Sequence, residues 1–195
     1  MIALLNPQSA KWGFRVPNSI LTLGAFLEGK YDYHIIDENF DRKAVYTIGE
    51  LIKSSGVKYL GITVMPALQI QRAFAISKKI KTKFPEIKII WGGYFPSLHP
   101  VTVLKSDYID YVLKGHAEFS FIQLIDTLES KPGAKDLSKI EGLSYKLHGK
   151  IFHNPKAEAI DPDLIPRLPY ERVDVNKYLK YATTYLGPRT VAYHS

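Results

Sequence analysis

Two short stretches, Leu60-Gly61-Ile62-Thr63-Val64 and Ile87-Lys88-Ile89-Ile90-Trp91, decide the fold class of this chain. Apolar residues dominate both, without the regular alternation of a strand that has one solvated face. Strands buried on both faces have this pattern, which is typical of parallel sheets covered by helices on each side. A helical pattern over Ala67–Phe84, ended by Pro85, separates the two strands.

The alternation of short strands and helices continues outward in both directions. Further strands are predicted at Ile2–Asn6, Tyr33–Asp37 and Ile109–Leu113. Helices are predicted between them, from Asn18 to Gly29, Ala44 to Ser54, Pro100 to Lys105 and Ala117 to Ser130. Five such units predict an α/β fold of the flavodoxin-like, doubly wound type, with a five-stranded parallel sheet in the order 2-1-3-4-5.

The chain changes character after residue 131. We predict an α/β domain over residues 1–131 and a β-hairpin with a Pro-rich extended linker over residues 132–188. The hairpin strands are Gly142–Leu147 and Lys150–His153, joined by a turn that contains Gly149. Residues 189–195 form a final strand-like run.

Composition excludes several classes of protein. The 195 residues include 26 Lys and Arg against 19 Asp and Glu, a net charge of +7, and no Cys. The absence of Cys excludes disulfides, thiolate zinc sites and any iron–sulfur cluster held by cysteines of this chain. The basic excess lies around one predicted helix without a nucleic-acid motif, so we expect a solvated face and no nucleic-acid partner. No run approaches the ~18 apolar residues that span a bilayer, and a reducing, cytoplasmic location is expected.

The ends of the predicted strands argue against two related folds. The turn after the first strand, residues 7–13, lacks the Gly-x-Gly-x-x-Gly of a dinucleotide-binding fold. A phosphoryl-receiver domain needs acidic residues where Asn6 and Thr63 stand.

The same strand ends contain the candidate site, because ligands of this fold lie outside the carboxyl ends of the strands. Gly92-Gly93 removes two side chains at one such end, which lets a large flat ligand approach the backbone. The best candidates for cofactor contact are Thr63, Gly92, Gly93 and Gly115, mainly through their backbone, followed by Asn6, Tyr94 and Glu118. A Gly93→Val substitution is therefore expected to weaken ligand binding more than folding. Helix capping is the alternative role for Glu118.

The histidines do not form a metal site in the sequence pattern. His34 falls within the second strand and is expected to be a structural residue. His99 and His116 lie nearer the strand ends, but no pair has the i, i+4 spacing of a helical metal site. We therefore assign no metal ligand and no catalytic residue within the chain.

Short pieces spread over nearly the whole chain carry a family resemblance. In chain order they are Leu4-Leu5-Asn6-Pro7, Val16-Pro17-Asn18, residues 21–27, Gly61-Ile62-Thr63, Trp91-Gly92-Gly93, Pro96-Ser97, residues 110–118, residues 140–145, His153-Asn154-Pro155 and residues 164–169. Their order and spacing resemble the N-terminal cobalamin-binding domain of cobalamin-dependent radical S-adenosylmethionine enzymes. The family usually has Gly-Glu-Gly-Glu at residues 115–118, so two of the four positions match here.

The resemblance implies a function and a set of cofactors. Cobalamin would lie over the strand ends, with its tail nucleotide inserted beside the third and fourth strands and no protein His on its lower face. The intact protein would be a radical enzyme, most often a methyltransferase, that also uses a [4Fe-4S] cluster and S-adenosylmethionine on an unidentified small-molecule substrate. The family's Cys-x-x-x-Cys-x-x-Cys motif follows a strand that resembles Arg189–Ser195, so residues 189–195 are expected to begin a catalytic barrel that this chain lacks.

Two functional alternatives remain open from the residues. One is a free-standing corrinoid carrier or a cofactor-free interaction module. The other is a flavin-binding electron carrier, although Gln8-Ser9-Ala10 is a poor phosphate loop.

Overall fold

The computed structural model describes residues 1–11, 15–130, 136–156, 159–181, 183–184 and 187–188. The strands of its main sheet are β1 (Ile2–Asn6), β2 (Tyr33–Asp37), β3 (Tyr59–Thr63), β4 (Lys88–Gly92), β5 (Tyr111–Leu113), β6 (Leu143–Leu147) and β7 (Lys150–His153). The helices are α1 (Asn18–Leu27), α2 (Ala44–Ser55), α3 (Leu68–Lys83), α4 (Tyr94–Leu98), α5 (Pro100–Leu104), α6 (Glu118–Glu129) and α7 (Val175–Tyr181). Two-residue strands β8 (Thr183–Thr184) and β9 (Gly187–Pro188) pair with each other.

The main sheet has seven strands in the order β2-β1-β3-β4-β5-β6-β7. The first five strands are parallel, which confirms the prediction of an α/β fold with a mostly parallel sheet. The predicted count of five strands is wrong, because the hairpin β6–β7 joins the sheet antiparallel to β5. Leu143 and Tyr145 of β6 are buried in the core, and this burial holds the hairpin against β5.

Two apolar layers cover the sheet. On one face, α1 and α6 pack over alternate strand residues such as Leu4, Ile90 and Leu113. On the other face, α2, α3 and α5 pack over Leu5 and Trp91. Because successive side chains of a strand point to opposite faces, the unbroken apolar runs of β3 and β4 fill both layers.

Helix ends follow local chemistry. α2 ends at Gly56, whose φ of +66° is the left-handed conformation that glycine adopts without a Cβ penalty. α3 ends at Lys83 and is followed by its C-cap, Phe84, immediately before Pro85.

Three local predictions need correction. α4 was not expected, and it occupies the segment immediately after Gly93. β5 begins at Tyr111 and not at Ile109, and the carboxylate of the intervening Asp110 accepts from the backbone N–H of Ile89. His34 is exposed on β2, an edge strand, and is not a buried structural residue. The strand-like run at 189–195 lies outside the described residues.

Candidate functional site

A cavity opens at the carboxyl ends of β3, β4 and β5, on the sheet face that α1 and α6 cover. Its origin is the strand alternation. In β4, Ile90 packs toward α1 and α6 and Trp91 packs toward α3, so Gly92 returns to the α1 side. Gly61 of β3 is likewise on the cavity side. The glycine at position 92 leaves space where a side chain would otherwise fill the layer.

The cavity has a volume of about 110 Å³ and a mainly apolar wall. An added Cβ at Gly61 would lie 3.1 Å from the ring of Phe121, so this glycine lets the α6 aromatic approach the sheet. The residues that line the cavity are Ser19, Ile20, Leu23, Gly61, Ile62, Thr63, Ile90, Gly92, Gly93, Leu113, Gly115, Ala117, Glu118 and Phe121.

Three polar side chains border this apolar space. Ser19 Oγ of α1 lies 3.2 Å from Thr63 Oγ1 at the end of β3, so their hydroxyls share one hydrogen bond. The Oε2 atom of Glu118, at the start of α6, is buried without a hydrogen-bond partner among the described residues. A buried acceptor of this kind is costly unless a ligand or water supplies a donor.

The two adjacent glycines at the end of β4 differ in the space around them. An added Cβ at Gly92 would meet only the carbonyl oxygen of Leu113, at 4.0 Å, so this position faces open space. At Gly93, where φ is +95°, it would lie 3.0 Å from Val64 N and 3.1 Å from Thr63 Oγ1. The backbone conformation at position 93 therefore requires glycine. We now expect Gly92, and not Gly93, to be the position where a substitution weakens ligand binding more than folding.

Gly115 closes the rim on the β5 side. Its φ is +75°, and its N–H donates to Ser97 Oγ at 3.0 Å. The Ser97 hydroxyl in turn donates to the carbonyl of Gly93 at 2.8 Å. This serine therefore connects the loops that follow β4 and β5.

The structure brings five of the seven predicted site residues together around the cavity. They are Thr63, Gly92, Gly93, Gly115 and Glu118. Tyr94 begins α4 outside the cavity and is 58% exposed. Asn6 is buried at the end of β1, also outside the cavity.

Asn6 belongs to a network that we call the β1–β2 network, made of Asn6, Asp37, Glu38, Asn39 and Gln69. The Asn6 amide donates to Asp37 at 3.1 Å, and its carbonyl oxygen accepts from Gln69 at 3.0 Å. Gln69 also donates to the Pro7 carbonyl and accepts from the N–H of Met65. Both ends of the Asn6 side chain are thus used within the protein.

The acidic members of the β1–β2 network are saturated by donors. Asp37 accepts from Tyr178 Oη at 2.6 Å and from Asn39 through both its backbone and its side chain. Burial raises the pKa of Asp37, and these hydrogen bonds oppose that rise. The buried Glu38 carboxylate pairs with Arg72 and accepts from the N–H of Gln8.

Among the described residues, no histidine lines the cavity. His99 is exposed and lies against the ring of Phe95, with the ring centroids 5.0 Å apart. His116 is exposed in the loop after β5 and faces a separate depression beside Phe119. Among the residues described, no group of three or more His, Asp or Glu side chains is arranged to hold a metal ion.

Several cavity residues were missed at the level of sequence. The sequence prediction of the site does not include Ser19, Ile20, Leu23 or Phe121, which lie on α1 and α6 and line the cavity. In a strand, residues two positions apart lie on the same face, so Gly61 lies on the face of Thr63. This was the one sequence signal for Gly61. The helix residues carried none, because the relative rotation of α1 and α6 depends on packing.

Comparison with known proteins gives relatives that are longer than this chain. No family model matches it. It is 26% identical over 197 residues to an anaerobic magnesium-protoporphyrin IX monomethyl ester cyclase of Synechocystis, covering 92% of this chain and 37% of the relative. It is 27% identical over 164 residues to an uncharacterized methyltransferase of Pyrococcus horikoshii, covering 83% and 35%. The chain therefore spans about a third of the length of these curated relatives.

Two solved structures with the same fold contain bound cobalamin. The radical S-adenosylmethionine methyltransferase TsrM from Kitasatospora setae, with cobalamin and a [4Fe-4S] cluster bound, superposes with a TM-score of 0.69 at 19% identity, covering 97% of this chain and 36% of TsrM. The cobalamin-dependent radical enzyme OxsB, with aqua-cobalamin and S-adenosylmethionine bound, gives 0.69 at 21% identity, covering 81% and 22%.

These matches confirm the resemblance that the sequence pieces indicated. Within the described residues, no helix is long and apolar enough to cross a membrane. The chain has the fold of a part of the cobalamin-dependent radical S-adenosylmethionine enzymes.

Proposed function

We propose that this chain binds cobalamin over the carboxyl ends of its parallel strands, with part of the nucleotide tail of the cofactor in the cavity between α1 and α6. The observation that carries the proposal is the cavity itself. It lies at the strand edge where ligands of this fold bind, and glycines rather than side chains form its sheet wall.

The chemistry of the cavity fits this cofactor. Cobalamin has a wide corrin ring with amide arms and a tail of phosphate, ribose and an apolar benzimidazole base. A space of about 110 Å³ excludes the ring and leaves room for a small part of the tail. Ile20, Leu23 and Phe121 offer apolar contact to a flat base. The buried Oε2 atom of Glu118 offers an acceptor to a ligand hydroxyl or amide.

The proposal gives each site residue a task. Thr63, Gly92, Gly93 and Gly115 line the entrance, where their backbone and the Thr63 hydroxyl contact the cofactor. Tyr94 is exposed next to this entrance and is available to the corrin ring. Asn6 acts indirectly, by fixing the end of β1 through Asp37 and Gln69. When bound, cobalamin supplies a cobalt centre that carries a methyl group.

For the intact protein, we propose a radical S-adenosylmethionine enzyme, most often a methyltransferase in this group. The curated relatives are a cyclase and a methyltransferase, so they do not point to one reaction, whereas the solved structures of TsrM and OxsB contain cobalamin. This chain has no Cys, so a [4Fe-4S] cluster would need ligands from a catalytic barrel. We also propose that the domain is of the flavodoxin-like type, by the order of its parallel strands. A cytoplasmic location of the protein is a further part of the proposal.

The test is a titration of the purified chain with hydroxocobalamin, followed by gel filtration. We expect the corrin absorbance to elute with the protein at one equivalent. Flavin mononucleotide, added in parallel, is expected to elute separately. Free cobalamin at all ratios would contradict the proposal, and retention of the flavin instead would favour an electron carrier.

A further inference from the structure

Glu118 is the feature of the cavity that the fold alone does not explain. It is the first residue of α6, and its side chain lines the cavity. Its Oε2 atom is buried, and no described residue donates a hydrogen bond to it. None of the ion pairs formed among the described residues includes it.

This carboxylate restricts what can lie beside it. An ionised carboxylate accepts hydrogen bonds and cannot donate them. It therefore favours O–H and N–H groups and disfavours a phosphate or an unprotonated ring nitrogen, since both of those are acceptors. Leaving its buried oxygen without a donor costs free energy that a bound donor recovers.

Resting on the proposed function, we infer that Glu118 is a specificity-determining residue that accepts a hydrogen bond from a ribose hydroxyl of the cobalamin tail. The ribose hydroxyls are the donors of the nucleotide, whereas its phosphate and base are acceptors. The amide arms of the ring also carry N–H donors, and the comparison of two corrinoids described below distinguishes them from the ribose hydroxyls. Glu118 thus selects a corrinoid with a nucleotide tail over one without it.

A purely structural role makes a different prediction. A carboxylate in the first turn of a helix interacts favourably with the helix dipole. If Glu118 served only α6, its removal would lower the melting temperature and leave corrinoid affinity unchanged. If it serves the ligand, its removal lowers affinity and leaves the melting temperature of the free chain unchanged or higher, because the unpaired buried oxygen is gone.

The experiment titrates the full chain and its Glu118→Leu variant with two corrinoids, hydroxocobalamin and cobinamide, which lacks the nucleotide tail. We expect Glu118→Leu to weaken hydroxocobalamin binding roughly tenfold to a hundredfold, the range for losing a hydrogen bond to a charged acceptor. Cobinamide binding should change less than about twofold. Glu118→Gln, which keeps one carbonyl oxygen, should lie between the variant and the native chain. The matched control is Glu86→Leu, at an exposed carboxylate before β4 that should affect neither ligand.

The outcomes separate this inference from the proposed function. If the native chain binds neither corrinoid, the proposed function fails and the inference fails with it. If the native chain binds and Glu118→Leu binds hydroxocobalamin equally well, the inference alone is overturned. An equal loss for both corrinoids would overturn the assignment to the tail, since the donor would then belong to the ring. Thermal melts of the free variants show whether each remains folded.

Discussion

Two halves of the same strand edge differ in how their polar groups are used. At the ends of β1 and β2, Asn6 and Asp37 are joined to each other and to further donors. At the ends of β3, β4 and β5, glycines and apolar side chains form a cavity. A carboxylate of this cavity, Glu118, has a buried oxygen without a partner among the described residues.

This difference shows which half is prepared for a ligand. Buried polar groups in folded proteins are almost all hydrogen-bonded. The β1–β2 network meets that condition within the protein, so it holds loops and α7 in place. In the cavity half, the buried oxygen of Glu118 has no such hydrogen bond among the described residues, so a ligand can supply the donor. Polarity at a strand end is therefore a weaker guide to a site than unsatisfied polarity next to open space.

The largest expected effect concerns Gly93, at the border of the cavity. Gly93→Ala places a Cβ about 3 Å from the Val64 backbone at a φ of +95°. We expect it to lower the free energy of unfolding by about 3 kcal/mol, from backbone strain and steric overlap together. Urea unfolding followed by circular dichroism measures this.

Gly149→Ala is the matched control for Gly93→Ala. Its φ is +75°, but no atom lies within 4 Å of the added Cβ. Only the left-handed conformation is penalised there, by about 1 kcal/mol. Equal losses at the two glycines would show that the contact with Val64 is unimportant.

The second prediction sharpens the contrast between neighbouring glycines. Gly92→Val should weaken cobalamin binding about tenfold or more, because the branched side chain enters the cavity, and should change the free energy of unfolding by less than about 1 kcal/mol. Titration and urea unfolding of the same preparation separate the two effects. Lys88→Val, at the opposite end of β4, is the control and should keep the native affinity. An unchanged affinity in Gly92→Val would place the ligand elsewhere.

The third prediction tests the β1–β2 half. Tyr178→Phe removes the hydroxyl that donates to Asp37 and keeps the ring that packs edge-on against Phe40. We expect the free energy of unfolding to fall by about 1–2 kcal/mol, because a buried carboxylate loses a donor. Cobalamin affinity should stay within about twofold of the native value. A loss of affinity without a loss of stability would mean that this half contacts the ligand after all.

The last prediction is that histidine substitutions leave the spectrum of the bound cobalt unchanged. With bound cobalamin reduced to cobalt(II), paramagnetic resonance should show no threefold splitting that depends on a histidine of this chain. His99 and His116 are exposed and lie outside the cavity, so His99→Ala and His116→Ala should leave the spectrum unchanged. A triplet that disappears in either variant would assign that residue as an axial ligand.

The site illustrates how far sequence reasoning could reach. Thr63, Gly92, Gly93, Gly115 and Glu118 were predicted because each follows a strand, and in a parallel sheet all strand ends meet at one edge. Asn6 was predicted by the same rule and lies outside the cavity, since its amide bonds to Asp37 and Gln69. Sequence position alone does not say whether a polar side chain has already found its partners.

The sequence by itself determined the class of fold and the edge that carries the site. The unbroken apolar runs of β3 and β4 require burial on both faces. Gly56 and Pro85 mark the ends of α2 and α3, because neither residue favours continuation of a helix. Only the tertiary structure decided that β6 and β7 extend the sheet, because a hairpin pattern does not specify which edge it pairs with. It also decided which of two adjacent glycines is open: Gly92 and Gly93 are identical as residues, and the packing of Val64 against one of them makes the difference.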